Sequence, residues 1–287
     1  MFQIATRQQS RLRMTIDGPA GSGKSYTALR FAHALGGRIA AIDTERGSLS
    51  KYVGEAPDGI PWKFDVVNLF QFSPEKYTEL IQIAGKMAYN VLIIDSLSHA
   101  WEGAGGALEI KDKVGGNDWK GWRTVTPIHN RMVDAILQSP CHVITTMRSR
   151  MEHVQETDSS GKTVVRKIGM APIQRPGMEY EFDLVCDMDW AHILTVSKSR
   201  CSAVADMKID HPGPNFLSPV IEWLGSGSPG ISNNGHEEVQ KPITPTITLE
   251  ALLDQFGEET ILAANNNIFP ASNEEITAIA QLLGITA

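Results

Sequence analysis

The chain has 287 residues, 42% hydrophobic and 21% charged, proportions that suit one globular α/β domain with a small appendage. No stretch approaches the roughly 18 consecutive apolar residues of a membrane-spanning helix. Met1 to Arg13 lacks the apolar core and cleavage site of a secretory leader. The net charge of −7 sits wholly in residues 226–287, where eight acids face Lys241 alone, so the rest is formally neutral and nucleic acid is not excluded as a partner. Cys141, Cys186 and Cys201 are odd in number and lack metal-ligand spacing. They read as reduced core residues, and a cytoplasmic protein is expected.

Arg11 to Gly18 reads as a short buried strand. The segment that follows, Gly18-Pro19-Ala20-Gly21-Ser22-Gly23-Lys24-Ser25, matches GxxxxGK[ST] in full and leads into a predicted helix, Lys24 to Leu35, stopped by Gly36-Gly37. Gly18, Gly21 and Gly23 let the backbone curl so that its N–H groups point at phosphate oxygens. The helix start adds the positive end of its dipole. Lys24 supplies a point charge to the β- and γ-phosphates, and the Ser25 hydroxyl a ligand to Mg²⁺. Gly18 through Tyr26 is therefore the expected nucleotide segment, with ATP and Mg²⁺ bound there.

Arg38 to Asp43 and Phe64 to Phe70 are further strand-like runs. Ser73-Pro74-Glu75 opens a helix with a capping residue and a first-turn proline, running to about Tyr89. It feeds Val91-Leu92-Ile93-Ile94-Asp95, an apolar strand of the kind covered on both faces. Asp95 stands where P-loop ATPases keep the carboxylate that holds Mg²⁺, although many strands end in Asp as a turn residue. After the second strand, Glu45 reads either as a general base for the attacking water or as a solvated loop acid.

Trp101 to Asp118 is Gly-rich and reads as irregular; a helix from about Trp119 or Pro127 to Gln138 and a strand His142 to Met147 follow. Residues 151–157 and 163–168 resemble the arms of a β-hairpin joined by Asp158 to Gly161. Between Arg148 and Arg175, the cations Arg148, Arg150, Lys162, Arg166, Lys167 and Arg175 outnumber the three acids Glu152, Glu156 and Asp158. Such a hairpin either contacts nucleic-acid phosphates or is a solvated surface. The tryptophans nearby (Trp101, Trp119, Trp122) would stack bases or, more commonly, pack helices. Asp183 to Trp190 and His192 to Ser197 are predicted as antiparallel strands, closed by Lys198-Ser199-Arg200. His99, His129, His142 and His192 read as structural, and His211 to Pro219 as a rigid surface connection. The Gly-, Ser-, Pro- and Asn-rich stretch 226–246 reads as a linker. Residues 247–287 hold two helical segments, Leu249 to Asn265 and Asn273 to Leu283.

With these features in hand, the chain resembles the phage-encoded AAA-type ATP-binding proteins of RecA-like fold, a group that includes Sak-type single-strand annealing recombinases. The resemblance covers about residues 10 to 222. Beyond the P-loop it rests on Trp119-Lys-Gly-Trp122, His142-Val-Ile-Thr-Thr-Met-Arg148 and Gln174-Arg-Pro-Gly-Met-Glu-Tyr-Glu-Phe-Asp183. AAA+ proteins usually end the Asp95 strand in an acidic pair, whereas Ser96 follows here; the RecA-like branch places its glutamate after the second strand, as Glu45 is placed. The resemblance implies a mostly parallel RecA-like P-loop core over residues 1–225. It implies catalytic roles for Lys24, Glu45 and Asp95, and a sensor residue near Thr146 and Arg148 where RecA has a glutamine. It further implies that Lys198 and Arg200 insert into a neighbouring subunit's ATP site, hence a homo-oligomer, and that loops 103–118 and 148–175 face single-stranded DNA. Two alternatives stand beside this: an ATP-switched loader or adaptor gripping a protein partner through residues 247–287, and a metabolic kinase, for which no lid or acceptor pocket is recognisable.

Overall fold

The computed structural model of the protein describes residues 6–114, 118–157 and 163–228. The chain divides into two units, Met1–Gly230 and Ile231–Ala287. The second lies outside the described residues, and with it all but the first three residues of the expected linker and the C-terminal helices.

Strand β1 (Arg13–Gly18) leads through the phosphate loop into α1 (Lys24–Leu35), followed by β2 (Ile39–Asp43), β3 (Asp65–Asn68), α2 (Pro74–Lys86) and β4 (Val91–Asp95). Two short helices, α3 (His99–Glu102) and α4 (Ala107–Lys113), precede α5 (Asp118–Gln138), β5 (His142–Thr157) and β6 (Thr163–Pro172). Then come β7 (Leu184–Met188), β8 (Ile193–Ser199), β9 (Lys208–Asp210) and α6 (Pro214–Gly225).

The main sheet runs β3-β2-β4-β5-β1-β7-β8-β9, with β6 paired to the outer half of β5. It is parallel from β3 to β7 and antiparallel at β8 and β9. Alternation along each strand sorts the core into two layers. Met14, Ile16, Ile93 and Ile144 face α1 and α6, while Leu92, Ile94, Val143 and Val185 face α2 and α5. Burial on both faces explains the near-continuous apolar runs in the sequence. This is the mostly parallel α/β core flanked by helices that was expected. Register aligns the ends of β1, β2 and β4 beside the middle of β5, pairing Gly18 with Arg148 and Asp43 with Asp95. After β1 the chain crosses to β2, with β4 and β5 lying between them, which opens a crevice at the strand C-termini.

Two local expectations change, and the alternatives for the start of α5 narrow to the earlier one. The Gly-rich stretch after Trp101 is largely helical: the Glu109 carboxylate takes the Gly105 N–H at 2.7 Å, and Trp101 stacks on Trp122 with centroids 5.7 Å apart. The α5 helix starts at Asp118 and carries Pro127 inside it. His211 to Pro219 is not a surface connection. Pro214 occupies the first turn of α6, where its missing N–H costs nothing, and Phe216, Leu217, Val220 and Leu224 form a buried stripe. Phe216 meets Phe31 of α1 at 5.3 Å between ring centroids.

One buried cation ties this core together. Arg13, at the start of β1, is 7% exposed and donates to the carbonyls of Leu12, Leu137, Ser139 and Cys141. Burial lowers its pKa to about 10 even with Asp183 nearby. The Leu137, Ser139 and Cys141 carbonyls end α5 and turn the chain into β5, so Arg13 acts on these three as a helix C-cap delivered from another strand. Arg13→Met leaves them buried and unsatisfied and is expected to cost about 2–4 kcal/mol, or roughly 5–10 °C of melting temperature. A thermal melt unchanged from the wild type would refute the capping role.

Candidate nucleotide site

The phosphate loop is built by close backbone packing. A Cβ on Gly18 would collide with the Met188 carbonyl of β7 and come within 2.7 Å of Ser22 Oγ, so no larger residue fits. Gly23 precedes α1 at φ 92°, a left-handed conformation that favours glycine. The first turn of α1 has no side-chain cap and no acid, which leaves its N–H donors for an anion. The turn between β7 and β8 braces the loop from outside, with His192 Nδ1 3.1 Å from the Ser22 carbonyl oxygen. Lys24 is half-buried and donates to the Pro19 carbonyl at 2.8 Å. Burial pushes its pKa down, and Asp95 and Glu45 oppose that shift.

Asp95 ends β4 at 2% exposure. Its Oδ1 accepts from the Thr146 hydroxyl of β5, while Oδ2 is buried with no hydrogen-bond partner. Burial raises the Asp95 pKa, and the nearby Thr146 and Ser25 hydroxyls hold it down. A buried carboxylate oxygen without a partner, beside the P-loop serine hydroxyl, fits a divalent cation. Among the described residues there is no cluster of three or more His, Cys, Asp or Glu that would cage a metal. One buried carboxylate oxygen and one hydroxyl, joined by ligand phosphates, make the kind of oxygen donor set that Mg²⁺ takes.

Glu45 is placed by its neighbours. The Asp43 carboxylate accepts the N–H groups of Glu45 at 2.7 Å and Leu49 at 2.9 Å, shaping the turn after β2. The Thr44 hydroxyl accepts from the Ser96 N–H at 2.8 Å, and the Thr44 N–H donates to the Asp95 carbonyl at 2.7 Å, fastening the ends of β2 and β4. The Glu45 carboxylate meets a cation: Arg148 Nε and Nη2 donate to its two oxygens at 2.9 and 2.5 Å. Lys24, Ser25, Glu45, Asp95, Thr146 and Arg148 therefore share one end of the sheet.

The other predicted residues stand elsewhere. Lys198 donates to the carbonyls of Glu179, Tyr180 and Phe182 at 3.0, 2.7 and 2.7 Å, and Arg200 pairs with Asp183 at 2.9 Å. Among the described residues no hydrogen bond or ion pair joins either to residues 18–26. Arg150 is exposed, and Arg175 donates to Asn130 at 3.2 Å. Lys162 and the side chains of Arg166 and Lys167 lie outside the described residues. Trp101 and Trp122 pack α3 on α5, while Trp119 is exposed. Asp43, Thr44 and Ser98 carry no motif signal, yet they organise this end of the sheet together with Gln174, whose segment the sequence marks only through the family resemblance.

The AAA domain family matches residues 10–206 of the chain. No curated protein sequence matches it. Among solved structures the chain is similar to that of the RadB recombinase, at 16% identity and a TM-score of 0.42, over 70% of this chain and 86% of that one. A full phosphate-loop motif on a braced turn, an acid-ended strand beside it and a family match across most of the chain agree: the protein belongs to the AAA domain family of nucleotide-binding ATPases.

Proposed function

We propose that this protein is a Mg²⁺-dependent ATPase that works as an oligomer on single-stranded DNA in recombination or replication. What supports the reading most is the convergence of Lys24, Ser25, Asp95 and Glu45 from three separate segments. The loop N–H groups and Lys24 bind and orient the β- and γ-phosphates. Ser25 and Asp95 would hold Mg²⁺, which offsets phosphate charge when bound. Glu45 accepts the proton of a water attacking the γ-phosphorus as the bond to the β-phosphate oxygen breaks.

Lys198 and Arg200 act in the neighbouring subunit's site. In that role Lys198 exchanges its three carbonyl partners for phosphate oxygens, and Arg200 leaves Asp183. Arg150, Lys162, Arg166, Lys167 and Arg175 offer charge to a DNA backbone along the β5–β6 hairpin and its base, without reading sequence. ATP turnover is expected to rise when single-stranded DNA is added, on a particle larger than one chain, with DNA retention that weakens as salt rises. A rate indifferent to DNA, together with no retention at low salt, would remove DNA from the proposal.

A further inference from the structure

Two exposed features lie toward opposite edges of the main sheet. One is an aromatic knob. Tyr180 stands on the short turn Met178–Glu181 that leads into β7 and is 71% exposed. Lys198 of β8 donates to the carbonyls of Glu179, Tyr180 and Phe182, and its Nζ lies 6.0 Å from the Tyr180 ring centroid. The backbone under the ring is therefore fixed before any contact, which lowers the ordering cost of using it as an anchor. Lys198 attracts Glu179 and Glu181 electrostatically. Among the described residues, however, neither carboxylate has a hydrogen bond or ion pair, and the Tyr180 hydroxyl has none either.

The other feature is a groove of about 450 Å³ at the ends of β2 and β3, lined by Arg46, Gly47, Asn68, Phe70, Phe72 and Ala104. Its walls are preformed. Phe72 stacks on His99 with centroids 4.7 Å apart, and its N–H donates to the Ala104 carbonyl at 2.9 Å. Phe70 is 68% exposed, a large apolar ring left open to solvent. Arg46 is exposed, takes φ 56° and has no hydrogen bond or ion pair among the described residues. It directly follows Glu45, so the groove adjoins the candidate nucleotide site.

We propose that Tyr180 of one copy docks into the Arg46–Phe70 groove of the next copy and is the aromatic anchor of the oligomer. The inference rests on the oligomer reading above, in which Lys198 and Arg200 act in the neighbouring subunit's site. Tyr180 goes where that pair goes, since Lys198 Nζ is 2.7 Å from its carbonyl oxygen. On the receiving side, Arg46 and Gly47 come directly after Glu45. The Tyr180 ring packs on Phe70 and Phe72, and Asn68 offers its amide to the phenol hydroxyl. Glu179 and Glu181 bring unpaired negative charge to the unpaired Arg46. Aromatic residues and arginine are the types that concentrate at the centres of such interfaces. Because knob and groove are different surfaces of one chain, the contact is head-to-tail. It repeats until it closes a ring or extends a filament.

The test follows particle mass by sedimentation of the full chain with Mg²⁺ and a β,γ-imido ATP analogue. Tyr180→Ala and Phe70→Ala are each expected to raise the subunit dissociation constant at least about 30-fold, as loss of a central aromatic anchor does. Both side chains are exposed, so both variants should keep the wild-type circular dichroism spectrum. Tyr180→Phe keeps the ring and loses one hydrogen bond, so it should stay within about fivefold of the wild type. At a concentration between the wild-type and variant dissociation constants, each alanine variant alone should be a monomer. An equal mixture of the two should form one-to-one dimers and nothing larger, because only one knob and one groove remain to pair. Wild-type mass in either variant, or a mixture that stays monomeric, would overturn the proposal. Loss of single-stranded DNA retention from Phe70→Ala at unchanged mass would assign the groove to a nucleobase and overturn it as well. A wild type that sediments as one chain in every condition would sink the oligomer reading itself. If the wild type assembles and both alanine variants assemble equally well, only the Tyr180 contact fails.

Discussion

Lys24→Ala is expected to weaken ATP binding by at least about 100-fold and to bring turnover to background. The magnitude follows from removing one preorganised, half-buried donor, typically worth about 10²–10³. Lys24 is half-buried, and its partner in the described structure is a neutral carbonyl, that of Pro19. Its charge is therefore available for a ligand, and the lowered pKa reflects burial beside carboxylates that keep it a cation. Because that single contact closes the loop locally, the variant should melt close to the wild type. Equilibrium titration with ATP measures the effect; wild-type affinity in the variant would mean that the loop does not hold phosphate through Lys24.

Glu45→Gln is expected to lower turnover by about 10²–10⁴ while nucleotide binding persists. Gln keeps the shape and can still accept one hydrogen bond from Arg148, but it cannot take the proton from water. The turn that carries residue 45 does not depend on its side chain, since Asp43 holds the backbone through Glu45 N and Leu49 N. The ion pair to Arg148 is partly exposed, with side-chain accessibilities of 26% for Glu45 and 43% for Arg148, and exposed pairs contribute about 1 kcal/mol or less. A large kinetic effect with little change in stability separates a chemical role from a structural one. Single-turnover measurements at saturating ATP read the chemical step directly. A rate within a factor of two of the wild type would make Glu45 a loop acid.

The two variants divide the site as the sequence does. Residues 18–25 are legible because the chemistry is local: eight contiguous residues, with a strand before and a helix after, suffice to specify a phosphate cradle. Val91 to Asp95 is legible because a strand covered on both faces must be apolar until it reaches the crevice. The histidines show the limit of pattern alone. His192 touches the phosphate loop and His99 lies 2.6 Å from the Thr44 hydroxyl, although neither has a spacing that marks it. The stripe of α6 was present in the sequence at residues 216, 217, 220 and 224, but Pro214 and Pro219 disguised it.

By itself the sequence determined the phosphate loop, the acid that ends β4, and the alternation of strands and helices, since each depends on neighbours a few residues away. Tertiary structure alone decided that β1 lies between β5 and β7 and that Arg148 grips Glu45 across 103 residues of chain. It also decided that Lys198 caps three carbonyls and that Arg13 closes the end of α5. The reason is physical. A long cation bonds to whichever acceptor packing brings within about 3 Å. Packing is set by the register of strands far apart in sequence, so no local pattern encodes the partner.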